Sequence, residues 1–233
     1  TTLFRSRLWD SMTIVRNYKS LLFGLLSLIL SGCAAKEVVV DGSFPEPVIP
    51  QLPLTIGVLY TDSFKNHELV DDGSARGEAS WRVSTGVAQV EFWSTLLPAA
   101  FNNVVYIESI EDLNNYQVDA VFIPSIVDVQ YAIPLYTNVK VYELWMRYRL
   151  QLAEPEVLME QASLDIAADD IQAFADWTLS AYGKTPTAFM QSDVDAVNLA
   201  AVMALRDAGA NFITSFGRVP SVNSWLATTM ESE

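Results

Sequence analysis

Two apolar alternations of opposite parity, separated by a short turn, constrain this chain more than any other feature. In VDAVFIPSIVDVQYAI the odd positions Val121, Ile123, Val127, Val129, Tyr131 and Ile133 are apolar. After PLYTN the even positions Tyr142, Leu144, Met146, Tyr148, Leu150 and Leu152 are apolar, and Glu143, Arg147, Arg149 and Gln151 alternate with them. Successive strand side chains point to opposite faces, so this pattern predicts an antiparallel hairpin with one buried face. Other elements arrange themselves around it. LTIGVLYT (54–61) reads as a buried strand, SWRVST as a short edge strand, VVYIES (104–109) as a strand, and FADWTLSAYGK as a strand with Ala175, Trp177, Leu179 and Ala181 on one face. VAQVEFWSTLLPAAF (87–101) places Val87, Val90, Leu97 and Phe101 near helical spacing, widened by Trp93 and Leu96, and Pro98 predicts a kink or weak point. Ser192 can cap a second helix, with Asp193 and Asp195 near its positive end and Val194, Val197, Ala201, Leu205, Ala208 and Phe212 as its stripe. Gly217 and Pro220 end that helix, and VNSWLA adds a short last one. The polar stretch 62–78 reads as a loop, and AEPEVLMEQASLDIAADDIQ as an acidic loop with a helical turn. The predicted fold is α/β of the α+β kind: a single small, mainly antiparallel sheet with two main helices packed on one face, spanning 54–227, with 228–233 as a tail.

The N-terminal part has a different character. Arg16 and Lys19 precede the apolar run LLFGLLSLIL (21–30), followed by Ser31 and Gly32. A basic region, a short apolar region and small residues make the layout of a secretory signal, here 1–32, with Thr1–Ser11 read as upstream of a start at Met12. The run is shorter than the roughly 20 apolar residues a bilayer span needs. Leu30-Ser31-Gly32-Cys33 resembles the lipobox of bacterial lipoproteins. The resemblance implies that Cys33, the sole cysteine, carries diacylglycerol through a thioether and becomes the mature N-terminus. Several acyl chains on one residue make a stable anchor, at about 0.8 kcal/mol per buried CH₂. Ala34 follows the cysteine, and in the enterobacterial sorting rule this resembles the outer-membrane default rather than inner-membrane retention by Asp. The stretch 33–53, with prolines at 45, 47, 50 and 53, reads as a semi-stiff tether able to hold the domain up to roughly 65 Å from its lipid.

The order of elements in 54–226 is similar to the periplasmic domains of envelope-assembly lipoproteins. These include the lipopolysaccharide-assembly lipoprotein of the outer-membrane translocon and the auxiliary lipoproteins of lipid-transporting ABC systems. The likeness is carried by VYELWMRYRLQL, DWTLSAYGKT and AVMALRDAGANF, and it transfers no individual binding residue. It implies a lipid-anchored, non-enzymatic accessory or assembly subunit of a cell-envelope complex, on the periplasmic face of the outer membrane, with an envelope protein as partner. The first alternative is a binding module for lipid, glycan or peptidoglycan, with an apolar cleft near Trp145 and Arg147. The second is a carboxylate-dependent hydrolase.

The residues offer little catalytic chemistry. With 28 acidic against 14 basic residues the formal charge is −14, which disfavours a nucleic-acid partner because phosphate binding needs clustered cations. The single histidine, His67, reads as a solvated loop residue, and no G-x-S-x-G elbow accompanies it. Gly183-Lys184-Thr185 lacks the earlier glycine of a phosphate loop and reads as a strand end. The acid pairs Asp71-Asp72, Glu111-Asp112, Asp169-Asp170 and Asp193/Asp195 do not follow a calcium-loop pattern, so neither metal nor cofactor is expected. Arg206-Asp207 reads as a local surface pair. Trp145, Arg147 and Arg149 form the candidate contact face: arginines beside an indole can receive an anionic headgroup, a glycan phosphate or a partner's carboxylate, or else balance acids across the sheet. Replacing Cys33 by Ser is expected to release the protein from the membrane or leave an uncleaved precursor. Unchanged size and membrane retention on fractionation and immunoblotting would refute the lipid anchor.

Overall fold

A computed structural model of the chain describes residues 35–73, 80–132, 141–163, 171–186 and 192–231. The signal segment, Cys33, the PLYTN turn and Asp169-Asp170 lie outside the described residues. The chain forms two units. The smaller takes in Thr1–Lys36 and Asp71–Ser80. In it the Lys36 N–H donates to the Ser80 carbonyl at 2.8 Å, and the Asp71 carboxylate accepts from the Gly73 N–H at 2.9 Å. The larger, Glu37–Val70 with Trp81–Glu233, carries the main core.

The elements are β1 (Lys36–Val39), β2 (Leu52–Leu59), α1 (Asp62–Lys65), β3 (Glu68–Asp71), β4 (Trp81–Ser84), α2 (Gly86–Ala100), β5 (Phe101–Ile107), a 3₁₀ turn (Ile110–Asn115), β6 (Ala120–Ala132), β7 (Glu143–Ala153), α3 (Pro155–Ser163), β8 (Ala175–Lys184), α4 (Asp193–Ser215), a second 3₁₀ turn (Phe216–Arg218) and α5 (Pro220–Glu231). They build an α+β fold with two sheets rather than the single sheet expected: β1-β4-β3, and β5-β2-β6-β7-β8. In the larger sheet β5, β2 and β6 are parallel, and β6, β7 and β8 are antiparallel. The expectation of a mainly antiparallel sheet therefore holds for one half. SWRVST is the middle strand of the small sheet, not an edge, and the stretch taken for a loop supplies α1 and β3. These pieces are four residues each, too short for a periodic signal, and neighbouring strands complete their hydrogen bonding.

The expected hairpin forms, but with a change of parity inside it. Phe122, Pro124 and Ile126 oppose Leu152, Leu150 and Tyr148, whereas beyond a bulge Val129 and Tyr131 oppose Met146 and Leu144. Val127 is the extra residue and is 52 % exposed, despite its place in the apolar alternation. One added residue moves every later side chain to the other face. Before the bulge the even positions of β6 face the main core, and Val121 and Ile123 enter a second core on the opposite face. Leu113 from the first 3₁₀ turn and Leu158 from α3 close this second core. Helical elements thus cover both faces, not one. Residues 155–163 form a helix rather than a loop with a helical turn; over 155–162 only Leu158 is buried, too little for an apolar stripe.

The main core is centred on α2. Its inward side carries Phe92, Trp93, Leu96 and Leu97, and Val87, assigned to the stripe from spacing, is 72 % exposed. Pro98 sits inside the helix, and the Ser94 carbonyl four residues earlier accepts from the Tyr106 hydroxyl at 3.2 Å. That contact replaces the amide donor that proline lacks. The Ser192 hydroxyl caps α4 as expected, accepting from the Asp195 N–H at 3.1 Å. Inward positions of α4 are mostly alanine, which lets its backbone approach β8 closely. A Cβ added at Gly183 would lie 1.9 Å from the Ala200 carbonyl oxygen and 2.4 Å from the Ala204 nitrogen. The Gly-Lys-Thr sequence is a helix–strand contact point.

Residues 37–53, expected to lie in a semi-stiff tether, pack within the larger unit. Val38 and Val40 are buried, and the Val40 N–H donates to the Ser84 carbonyl at 2.9 Å. Asn198 of α4 pairs with the Asp41 backbone in both directions, at 2.9 and 3.0 Å. Phe44 meets Phe92 edge-on at 5.5 Å. Apolar residues interspersed among the prolines dock the extended segment, while proline removes amides that would otherwise need partners. The C-terminal boundary moves as well: α5 continues through Glu231, so most of the expected tail is helical.

His67 is not a solvated loop residue. Its carbonyl accepts from the Thr85 and Gly86 N–H groups at 3.0 and 3.1 Å, holding the start of α2. Gln89 Nε2 donates to the buried Thr85 Oγ1 at 2.6 Å, and that hydroxyl lies 2.7 Å from His67 Nδ1. A neutral imidazole protonated on Nε2 accepts the Thr85 hydroxyl proton there, and the other tautomer donates to that oxygen. Burial lowers the His67 pKa from its ordinary value. The unfolded chain therefore takes up the proton first as pH falls below about 6.5, and stability declines there. Measured by denaturant unfolding, wild type should lose stability relative to His67→Asn between pH 7 and 5, with a slope of at most about 1.4 kcal/mol per pH unit. A pH-independent difference would refute a pKa lowered by the half-buried setting of the ring. Gly183→Ala is expected to cost about 3 kcal/mol, seen as a lowered Tm, because helix backbone must move to admit the methyl. A change below about 0.5 kcal/mol would show that α4 stands further off.

Candidate binding face on the outer sheet

Packing of the even residues of β7 into the core turns Glu143, Trp145, Arg147 and Arg149 to an open face, in register with residues of both neighbours, whereas Gln151 on the same side is buried. Trp145 lies between Gln130 and Tyr182, Arg147 between Asp128 and Ser180, and Arg149 between Ser125 and Thr178. Antiparallel pairing thus produces rows of three side chains across the strands.

At one end Trp145 and Tyr182, 40 % and 38 % exposed, have ring centroids 5.3 Å apart at 35°. The Tyr182 hydroxyl donates to Glu143 Oε1 at 2.6 Å, and Lys184 Nζ lies 3.4 Å from the same oxygen. The bond from Tyr182 holds the Glu143 carboxyl below its ordinary pKa, aided by Lys184 against some desolvation, and raises the pKa of the phenol. In the middle, Arg147 reaches Asp128 at 3.4 Å, and Gln130 Nε2 donates to the same Asp128 oxygen at 2.7 Å. At the far end Arg149 grips Asp176 with Nε at 2.9 and 3.1 Å and a terminal nitrogen at 2.6 Å, and Gln151 adds a contact at 3.4 Å. Asp128, Gln130, Trp145, Arg147, Thr178 and Ser180 line an open groove of about 340 Å³, with Met146 and Ala181 in its wall.

Of the sequence candidates, Trp145, Arg147 and Arg149 do share one exposed face. The two arginines are matched there to acids on neighbouring strands, Asp128 and Asp176. Tyr182, Asp128 and Asp176 were missed. The polar alternation Asp176, Thr178, Ser180, Tyr182 and Lys184 was visible beside the apolar one, but nothing local sets its register against β7. Arg206 and Asp207 turn to different neighbours: Arg206 donates to the Ser43 carbonyl at 2.9 Å, and Asp207 accepts from the Tyr182 N–H at 2.9 Å. Asn211 donates to the Ser180 carbonyl at 3.0 Å, so α4 side chains occupy part of the outer edge of β8. The expected apolar cleft is not at Trp145. Such a pocket, of about 270 Å³, lies instead between Phe44, Phe92, Leu96 and Ile213, with Arg206 in its lining.

The acid pairs near helix starts have local partners. Asp193 accepts from the Tyr142 hydroxyl, and Asp112 accepts from the Ser109 N–H at 3.0 Å to close a capping box. Among the described residues no helix is long and apolar enough to cross a membrane, and no group of three His, Cys, Asp or Glu side chains comes together as a metal site.

No protein-family model matches the sequence, and no match was found among curated proteins. Among solved structures the chain is similar to a Xanthomonas campestris protein of the DUF330 family, with 12 % identity and a TM-score of 0.46 over 82 % of this chain and 98 % of that one. A neuraminyllactose-binding hemagglutinin homologue from Helicobacter pylori gives 7 % identity and a TM-score of 0.44, over 81 % and 98 % of the two chains. A minor lipoprotein from Acinetobacter baumannii gives 10 % identity and a TM-score of 0.34, over 75 % and 96 %. Likenesses this distant transfer neither residues nor activity.

Proposed function

We propose that the protein is a lipid-anchored, non-enzymatic accessory subunit of the bacterial cell envelope. Acylated Cys33 holds it on the periplasmic side of the outer membrane, and the outer face of β6, β7 and β8 recognises an envelope component. The observation that carries this reading is the exposed Trp145–Tyr182 pair set in rows of cross-linked polar side chains. Each acid on the face is already engaged: Glu143 by Tyr182, Asp128 by Gln130 and Asp176 by Arg149. That arrangement suits recognition better than proton transfer, for which an acid and a base must both be free to reach a substrate. Exposed aromatic side chains backed by a stiff sheet lose little conformational freedom on binding, which favours their use as contacts.

The reading is tested in growing cells with the photoreactive residue p-benzoylphenylalanine in place of Thr178, in the groove, and separately in place of Glu91, exposed on α2. Irradiation should yield a discrete adduct with an envelope component from the Thr178 position and none from Glu91. A membrane-retained protein that gives no adduct at Thr178, or the same adducts at both positions, would overturn the assignment of this face.

A further inference from the structure

We propose that the groove beside Trp145 is a glycan-binding site that takes an uncharged sugar chain. This rests on the reading of the outer sheet as a recognition face and names the chemistry recognised there. The first argument is charge. Among the described residues three cations stand on the face, and each has an acid within 3.4 Å: Arg147 with Asp128, Arg149 with Asp176, and Lys184 with Glu143. An anionic headgroup or phosphate would have to displace a carboxylate from its arginine and then remain beside it, in a chain of net charge −14. A hydroxyl-rich neutral ligand meets no such cost, because it can donate to the carboxylates and accept from the guanidinium and amide groups without separating them.

The second argument is shape and surface. Trp145 presents an exposed indole braced by Tyr182, whose own hydroxyl is tied to Glu143. The negative face of an aromatic ring attracts the polarised C–H groups on one side of a pyranose. Next to it the Asp128 carboxylate, the Gln130 amide, the Arg147 guanidinium and the hydroxyls of Thr178 and Ser180 border a groove of about 340 Å³. Planar polar groups of this kind pair with adjacent ring hydroxyls, and the exposed Trp145 indole supplies the apolar surface against which C–H or acetamido methyl groups can rest. The pocket at Phe44 has few polar groups and could not satisfy the hydroxyls of a sugar.

The test uses the full lipidated chain in a sugar-free zwitterionic detergent, titrated with chitohexaose and with maltohexaose by calorimetry and saturation-transfer NMR. At least one should bind saturably. Trp145→Ala should weaken binding about tenfold, the loss expected when an aromatic contact is removed, and Trp145→Phe should retain most of it. Raising the salt concentration should change the affinity by less than about twofold, since no ion pair forms with the ligand. Three results would each sink the proposal: no binding of either oligosaccharide at millimolar concentration, equal binding by Trp145→Ala, or steeply salt-dependent preference for polygalacturonate. A Thr178 photoadduct to a protein combined with no oligosaccharide binding would remove the glycan while leaving the recognition face in place. Absence of both would remove both.

Discussion

Burial of Trp93 holds the larger unit together. Its indole is wholly enclosed, with ring centroids 5.1 Å from Phe92, 5.3 Å from Phe122 of β6, 5.7 Å from Tyr148 of β7 and 5.3 Å from Phe212 of α4. One side chain thereby joins α2 to the parallel half of the sheet, the antiparallel half and the long helix. The indole N–H has no hydrogen-bond partner among the described residues. Leaving such a donor buried costs about 1–3 kcal/mol, whereas enclosing roughly 200 Å² of aromatic surface contributes about 5 kcal/mol. Packing wins, and the arrangement of layers follows from it.

The second constraint is the near-contact of α4 and β8 at Gly183. Alanines at 196, 200, 201, 204 and 208 give α4 a low inward face, so the helix lies close against the sheet and even its short polar side chains reach the strand backbone. Asp207 and Asn211 can then bond the Tyr182 amide and the Ser180 carbonyl at the edge of β8. Close packing inside therefore steadies the strand that carries Tyr182 outside. An open edge is a template for unwanted strand pairing, and these side chains occupy part of it.

The outer face is organised by interactions that contribute little to folding. Its ion pairs are substantially exposed, and such pairs stabilise by about 0–1 kcal/mol each. What they do is orient. Arg149 is locked on Asp176, Tyr182 on Glu143 and Gln130 on Asp128, so the rotamers of this surface are largely settled. The matched charges also separate this face from the acidic remainder of the chain, which makes it suited to neutral polar chemistry.

Several of these features can be read from one dimension. Alternation in β7 and β8 announces two strands with one polar face each, Ser192 announces the start of α4, and the Trp-x-Arg-x-Arg spacing announces an exposed row, because each depends only on residues a few positions apart. Other features are set by contacts between distant segments. The bulge at Val127 overrides the local alternation because β7 fixes where the later half of β6 must face. The docking of residues 37–53 depends on Asn198 and Phe92, far along the chain, and the second core exists only once α3 reaches Val121 and Ile123. Sequence by itself determined the long elements β2, β6, β7, β8, α2 and α4 and most of their polar sides, since those follow from local period and capping. Only the tertiary structure decided that Trp145 meets Tyr182 and that the arginines meet Asp128 and Asp176, because strand register is a long-range hydrogen-bonding choice that no local spacing encodes.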